Sequence, residues 1–326
     1  MEPNVGTRAG GNSAKRGLSP VAPRTNPSGR SPRHSTFPSL MIRRDILSWW
    51  LRPSFLQPFG KPADTLFAGP WVGEFGWELM HWQGFLRKLA PRYSKVVVSC
   101  RPGQEALYAD FAHEFLLHDI RGTADCNRLL RVDNPQELRR VLALVPPGAD
   151  LLRPLGAQPH QRQVFRRFGE KRLESSTDIL IHPRGRGHGA DRNWSRENWE
   201  RLLSILSPLG LRIGCIGLRS ATQDLSGNFT EFRDRPLAET FDLMASTKLV
   251  VGPSSGPMHL ASLCGTPHLV WTDRARYARG LTNRIKYERT WNPLGTTAVV
   301  LDEWGFQPAP NLVAEQVARI LGKELP

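Results

Sequence analysis

Between Leu249 and Trp271 an apolar, β-branched run breaks off into Gly252-Pro253-Ser254-Ser255-Gly256-Pro257. A helix-compatible run follows, with His259 in its first turn, and a second apolar run closes the unit. The order is strand, tight loop, helix N-terminus, strand. Such a junction gathers backbone N–H groups and the positive end of a helix dipole at one spot, which suits a phosphate at the strand's carboxyl end. An ordinary βα turn, with His259 packed against the neighbouring strand, fits the same spacing.

The same alternation runs along most of the chain. Strands are expected at Thr65–Ala68, Lys95–Cys100 and Glu114–Leu117. Helices are expected at Glu78–Leu89, from the spacing of Leu79, Trp82, Phe85, Leu86 and Leu89, at Gln104–His113, and at Pro135–Leu144. The Pro- and Gly-rich stretch Pro146–Pro159 reads as a linker. A second series has strands at Asp178–His182, Arg212–Gly217 and Lys248–Gly252. Its helices are Ser195–Leu206, capped by Ser195 with Glu197 in the first turn, Pro236–Ala245, and Asn311–Leu321 with Asn311 as cap. Repeated alternation implies parallel sheets covered by helices on both faces. The expected organisation is a tail over 1–40, a Trp-containing lead-in over 41–63, an α/β domain over 64–150 and a second over 151–326, with a cleft between the two.

Charge is unevenly spread. The chain of 326 residues carries a net charge of +14. Residues 1–44 hold eight Lys or Arg against the single acid Glu2, so half of that excess lies in the first segment. Residues 1–40 are too poor in apolar clusters to fold and are expected to be disordered. Met41-Ile42-Arg43-Arg44-Asp45-Ile46-Leu47-Ser48-Trp49-Trp50-Leu51 differs sharply from what precedes it. One reading makes Met41 the true start. The Trp segment then either packs on the first domain or lies on a membrane surface. No run reaches the roughly 20 apolar residues of a membrane span. A basic body suits an anionic partner. Cys100, Cys126, Cys215 and Cys264 lie far apart, with no CxxC pair and no His at metal spacing. Buried thiols and a reducing cytoplasm are therefore expected, and a zinc site is not.

Three loops could carry chemistry. The first is Ser254-Ser255-Gly256-Pro257-Met258-His259, where hydroxyls and free N–H groups can donate to a diphosphate. The second is Ile181-His182-Pro183-Arg184-Gly185-Arg186-Gly187-His188-Gly189-Ala190-Asp191-Arg192-Asn193-Trp194-Ser195. Its glycines let backbone approach a ligand, and Arg184, Arg186 and Arg192 offer bidentate contacts to phosphate oxygens. A solvated surface loop is the plainer alternative. It lacks both the G-x-G-x-x-G order and the Lys-Ser/Thr end of a P-loop. The third is Gly69-Pro70-Trp71-Val72-Gly73-Glu74-Phe75-Gly76-Trp77-Glu78. Glu78 is explained as a helix-start acid, which leaves Glu74 as the candidate base.

Taken together, these segments resemble glycosyltransferase family 9, the bacterial heptosyltransferases, with their GT-B fold of two Rossmann-like domains. Ser255, Gly256 and His259 match that family's signature, but Ser254 stands where an Asp is usual. Arg192-Asn193-Trp194-Ser195 is similar to the family's basic residue followed by Trp-Pro, which puts Arg192 in the place of a phosphate-binding Lys. Gly73-Glu74 looks like the family's Gly-Asp, so Glu74 would be the general base. Trp77 and Glu78 would fall on the acceptor side. The resemblance implies inverting, metal-independent transfer from a nucleotide-sugar donor at Arg192, Ser255, Gly256 and His259, to which the loops' own chemistry adds Arg184, Arg186 and Ser254 as donor-binding candidates. It calls for no cofactor. The acceptor would be a glycan or glycolipid, in lipopolysaccharide or other cell-surface polysaccharide synthesis, at the cytoplasmic face of the membrane. A general base and cations for the departing diphosphate suit that chemistry independently, and no Asp-x-Asp pair is present to hold a metal. The rival classes are a non-catalytic GT-B-like binder of nucleotide or polysaccharide, an oxidoreductase, which the missing glycine fingerprint disfavours, and a nucleic-acid binder resting on charge alone.

Overall fold

The computed structural model describes residues 63–122, 132–154, 159–171, 177–274 and 282–325. The expected tail, the segment around Met41 and Cys126 lie outside the described residues.

Two parallel sheets carry the fold. The first is built from β1 (Thr65–Ala68), β2 (Lys95–Cys100), β3 (Glu114–Leu117) and β4 (Asp150–Leu152), in the order β3-β2-β1-β4. Helix α1 follows β1. It opens as Phe75–Trp77, widens into a π-helical turn over Glu78–Trp82 and closes as Gln83–Leu89. Helix α2 (Pro135–Ala143) precedes β4; Asn134 caps it by accepting from the Glu137 amide at 3.0 Å.

The second sheet has β5 (Ile179–Ile181), β6 (Ile213–Cys215), β7 (Thr230–Glu231), β8 (Leu249–Pro253), β9 (His268–Trp271) and β10 (Ala298–Leu301). Their order is β10-β9-β8-β5-β6-β7. Around it lie α3 (Arg196–Leu206), α4 (Leu237–Ser246), α5 (Gly256–Cys264), α6 (Asn283–Lys286, continued by a π turn over Tyr287–Trp291) and α7 (Pro310–Leu321). Ser195 caps α3 as its sequence suggests, its Oγ accepting from the Asn198 amide at 3.2 Å.

Strand order matters because it places the loops. In the first sheet the chain moves outward from β1 to β3 and then returns to the other side of β1 with β4. In the second it moves outward from β5 to β7 and returns beside β5 with β8. Loops leaving the strands at such a reversal diverge to opposite faces and open a crevice at the strands' carboxyl ends. The three candidate loops leave β1, β5 and β8, the strands at these reversals.

Period-two alternation sorts each strand between two faces. Leu66 and Ala68 of β1, Leu180 of β5 and Val250 of β8 enter one continuous core that includes residues of both sheets. Phe67 joins Val97, Leu151 and Val141 of α2 on the far side of the first sheet. Ile179, Ile181, Leu249 and Val251 face a second core around Trp194, Trp199 and Trp271, whose ring centroids lie 4.9–5.5 Å apart. Cys100, Cys215 and Cys264 are buried free thiols.

Three local expectations are corrected. Gln104–His113 is not a helix but a 3₁₀ turn at Glu105–Leu107 followed by irregular turns. The Leu107 carbonyl, which a helix would give to the Phe111 amide, accepts instead from the Arg87 guanidinium at 3.0 Å, and the Phe111 amide turns to the Tyr108 carbonyl. The stretch expected to be a linker contains β4, which pairs with β1. Helix α7 starts at Pro310 with Ala309 before it and no side-chain cap, so Asn311 lies inside it. A proline at the first position already supplies the helical φ and removes an orphan donor.

Candidate active site

The loop after β1 reaches the loops after β5 and β8. Gly69 leaves β1 at φ +124°, and a Cβ there would lie 2.5 Å from the Ser99 carbonyl oxygen. Only glycine lets the chain turn this close to β2. The Trp71 amide then bonds to the Ser99 carbonyl at 3.1 Å, and the Val72 carbonyl accepts from the Gly122 amide at 2.8 Å. Glu74 follows as the residue before α1, half-buried. Its carbonyl accepts from the amides of Trp77 and Glu78, both at 3.1 Å. Its carboxylate meets the Arg186 guanidinium at 2.7 Å. The candidate base and one candidate donor-binding arginine, more than a hundred residues apart in sequence, therefore share one point.

The starts of α1 and α5 also touch. A Cβ on Gly76 would lie 3.2 Å from His259 Cδ2, and one on Gly256 would lie 2.9 Å from Phe75 Cδ1. Glycine at both positions lets the two helix N-termini approach. Ser255 precedes α5 in extended conformation, and its hydroxyl donates back to the Pro253 carbonyl at 2.9 Å rather than capping the helix. The Ser254 amide bonds to the Trp271 carbonyl at 2.9 Å. The first-turn amides of Gly256 and Met258 have no acceptor within the helix itself, the usual situation that makes a helix start receptive to an anion.

The loop after β5 is wound around Arg184. This arginine is buried, and its guanidinium donates to the carbonyls of His188 (2.5 Å) and Gly189 (2.9 Å) and to the side chain of Asn193. Asn193 in turn donates to the Arg186 carbonyl at 2.9 Å, and Gln223 clamps the carbonyls of Arg184 and Trp194 at 2.8 and 2.7 Å. Arg184 thus holds the loop through these internal bonds. Its internal bonds outcompete solvent for a planar five-donor group. Arg186 is 40% exposed. Arg192 is half-buried, and its Nε is buried without a hydrogen-bond partner among the described residues.

His259 is 6% exposed and stacks on Trp291, centroids 4.4 Å apart at an interplanar angle of 12°. Its Nδ1 is buried and unpartnered among the described residues. Burial, reinforced by the nearby charges of His268, Arg192, His81 and Lys286, holds its pKa well below the ordinary histidine value. The ring is therefore neutral at physiological pH and can offer a single N–H, not a positive charge. Trp77 lies in the same aromatic group, 6.1 Å edge-on to Trp291 and 4.7 Å from His81.

Glu78, expected as a helix-start acid on the acceptor side, is enclosed instead. It is fully buried, and burial pushes its carboxyl up to about 7 against the opposing influence of Arg101 and Tyr108. Tyr108 donates to it at 2.5 Å, Arg101 Nη2 lies 3.7 Å away, and the Gln104 amide, oriented with its NH2 toward the carboxylate, donates at 2.5 and 2.9 Å. Arg101 also donates to the Gly73 carbonyl at 2.6 Å. Arg101, Tyr108 and Trp291 were not singled out from sequence. For Arg101 a signal existed: Arg101-Pro102-Gly103 directly follows a strand, as the other candidate loops do.

The chain matches no protein-family model and no curated protein sequence. Solved structures do resemble it. A glycosyl transferase family 9 protein from Veillonella parvula DSM 2008 aligns over 81% of this chain and 99% of its own, at 11% identity and a TM-score of 0.51. The ADP-heptose lps heptosyltransferase II of E. coli aligns over 79% of this chain and 98% of its own, at 16% identity and a TM-score of 0.47. The fold is thus of the GT-B kind that the Veillonella protein shares, with two Rossmann-like sheets.

Proposed function

We propose that the protein is an inverting glycosyltransferase that takes a hexose or heptose from a nucleotide-sugar donor. The observation that carries this reading is the 2.7 Å contact between Glu74 and Arg186, beside the touching starts of α1 and α5. A base for the acceptor and cations for the leaving group are the two parts glycosyl transfer needs, and they converge at the reversal points of two parallel sheets. In this reaction the Glu74 carboxylate takes the proton of an acceptor hydroxyl. The oxygen attacks the anomeric carbon from the face opposite the diphosphate, and the sugar–phosphate C–O bond breaks. Arg186, Arg192 and the first-turn amides of Gly256 and Met258 balance the charge on the departing nucleoside diphosphate, so this arrangement supplies from protein groups the charge that a metal would otherwise bring. The neutral His259 contributes a directed N–H.

The donor side is assigned to the second sheet and the acceptor side to the first, with Trp77 near the acceptor. A lipid-linked or cell-surface glycan, such as lipopolysaccharide, is the proposed acceptor class, met at the cytoplasmic face of the membrane. No helix among the described residues is long and apolar enough to cross a membrane. Ser254, in place of the usual Asp, favours a second reading as a non-catalytic nucleotide-sugar binder. Thermal shift against ADP-, UDP- and GDP-linked sugars identifies the donor by mass action. Release of free sugar from that donor separates the two readings: an enzyme hydrolyses it slowly, and a binder leaves it intact.

A further inference from the structure

We infer that Arg101, held by Glu78, is a positioning residue that fixes the loop presenting Glu74. The inference rests on the reading of Glu74 as the base.

The geometry is specific about what Arg101 holds. Its Nη2 donates to the Gly73 carbonyl at 2.6 Å. That oxygen belongs to the peptide unit joining Gly73 to Glu74, and the planarity of the unit means that fixing the oxygen fixes the plane. The next peptide plane is fixed as well, because the Glu74 carbonyl accepts from the amides of Trp77 and Glu78 at the start of α1. Both planes flanking the Glu74 Cα are therefore anchored, one by Arg101 and one by the helix. The side chain is the remaining freedom, and it meets Arg186.

Glu78 supplies what keeps Arg101 in place. A fully buried carboxylate is costly unless charge and hydrogen bonds compensate it. Arg101 is the cation that ion-pairs with it among the described residues, and Tyr108 and Gln104 satisfy its oxygens. Burial excludes Glu78 from catalysis, since no acceptor hydroxyl reaches a side chain with 0% exposure. Its place one turn beyond Glu74 lets it act through Arg101 on the peptide that precedes Glu74. The groups facing the carboxyl are Arg101, Tyr108, Gln104 and the buried Cys100 thiol, which burial and Glu78 push up out of its ordinary range. With the Glu78 carboxyl raised to about 7, its negative charge, and with it the tether, builds up as pH rises from 6 to 8.

Hydrogen–deuterium exchange on the full chain tests this without any ligand, using Arg101→Gln, Arg101→Lys and Glu78→Gln. Arg101→Gln should speed exchange of the amides of residues 71–77 by about tenfold or more through local opening, leaving β2 and α5 unchanged. Arg101→Lys, which keeps a donor and a charge, should restore most of the protection. In the native chain, protection of 71–77, corrected for intrinsic exchange, should rise between pH 6 and 8, and Glu78→Gln should flatten that rise. Native exchange over 71–77 in both Gln variants would overturn the inference. So would loosening spread across the whole first sheet, which a merely structural role gives. Full sugar transfer in Glu74→Gln would remove the base assignment and leave the exchange result to stand or fall separately.

Discussion

The loops that follow β1 and β5 solve the same problem in opposite ways. The loop after β5 is wound around its own arginine: Arg184 binds the carbonyls of His188 and Gly189, Asn193 ties back to Arg186, and Gln223 adds a clamp from outside. The loop after β1 is held from outside, by the Ser99 carbonyl of β2, the Gly122 amide and the Arg101 guanidinium. A loop that carries its own scaffold keeps its shape when its surroundings change. One pinned by its neighbours inherits their charge state. The cationic half of the proposed site is thus preformed, and the half that carries the base is adjustable.

The largest effect should come from a change that touches neither scaffold. Glu74→Gln keeps size and shape but removes the proposed base, so the proposed transfer should fall by about 10²–10⁴-fold, the usual range for general acid–base catalysis. Nucleoside diphosphate binding, followed by calorimetry, should stay near native. Native turnover in this variant would break the division of labour between the loops.

Two arginines only two residues apart sharpen the contrast. Arg184→Ala removes the guanidinium that ties together the part-buried carbonyls of His188 and Gly189 and the Asn193 side chain, at about 1 kcal/mol for each bond lost. It should lower the melting temperature clearly. Arg186→Ala removes a 40% exposed side chain and should barely move the melting temperature. Its cost should appear in donor affinity, by about 10–100-fold, as expected for a charge-assisted contact to phosphate. Equal effects of the two variants on stability would deny that the loop is wound around Arg184.

A smaller change probes where the two halves meet. Gly256→Ala puts a Cβ 2.9 Å from Phe75 Cδ1. The Phe75 ring must move, at about 1–3 kcal/mol if the packing resists, and the start of α1 moves with it. The melting temperature should drop modestly and turnover should drop more than donor affinity, because the displaced element is the one bearing Glu74. A variant that loses donor affinity alone would place the strain in α5.

Much of this architecture could be read from the chain because it depends on local pattern. β-branched runs alternating with helical spacing revealed β1, β2, β5 and β8, and Ser195 capped α3 as its position suggested. What escaped depends on partners distant in sequence. β4 is three residues in a Pro- and Gly-rich stretch and exists because β1 offers an edge to pair with. The 104–113 segment has helical composition but gives a carbonyl to Arg87. The candidate site divides likewise. Each strand–loop–helix junction was visible, whereas the meeting of Glu74 with Arg186, the inward turn of Arg184 and the burial of Glu78 under Tyr108 arise only when two sheets share one core.

The smallest expected effect is one of pH, and it separates charge from hydrogen bonding in the preformed half. His259 is held neutral by burial and by surrounding positive charge. A depressed histidine pKa means that the ring gains its proton only below its usual range of about 6.5. Between pH 8 and 6 the affinity ratio of native protein to His259→Gln for a nucleoside diphosphate should therefore stay flat, within about twofold, because only a neutral N–H is lost. Forming the ratio cancels the titration of the nucleotide's own phosphate. Stability, by contrast, does depend on pH. A ring that resists protonation when folded stabilises above its unfolded pKa, and that contribution is lost as pH falls toward the folded value. His118 and His182, both lowered to about 4, act in the same direction. Glu78, its carboxyl raised to about 7, acts against these histidines as pH falls, so the melting temperature should decline between pH 6.5 and 4 by less than the histidines alone would give, while the binding ratio stays level above pH 6. A ratio that climbs steeply on acidification above pH 6 would mean that His259 binds the diphosphate as a cation, and the positive charge of the site would then no longer rest on the arginines alone.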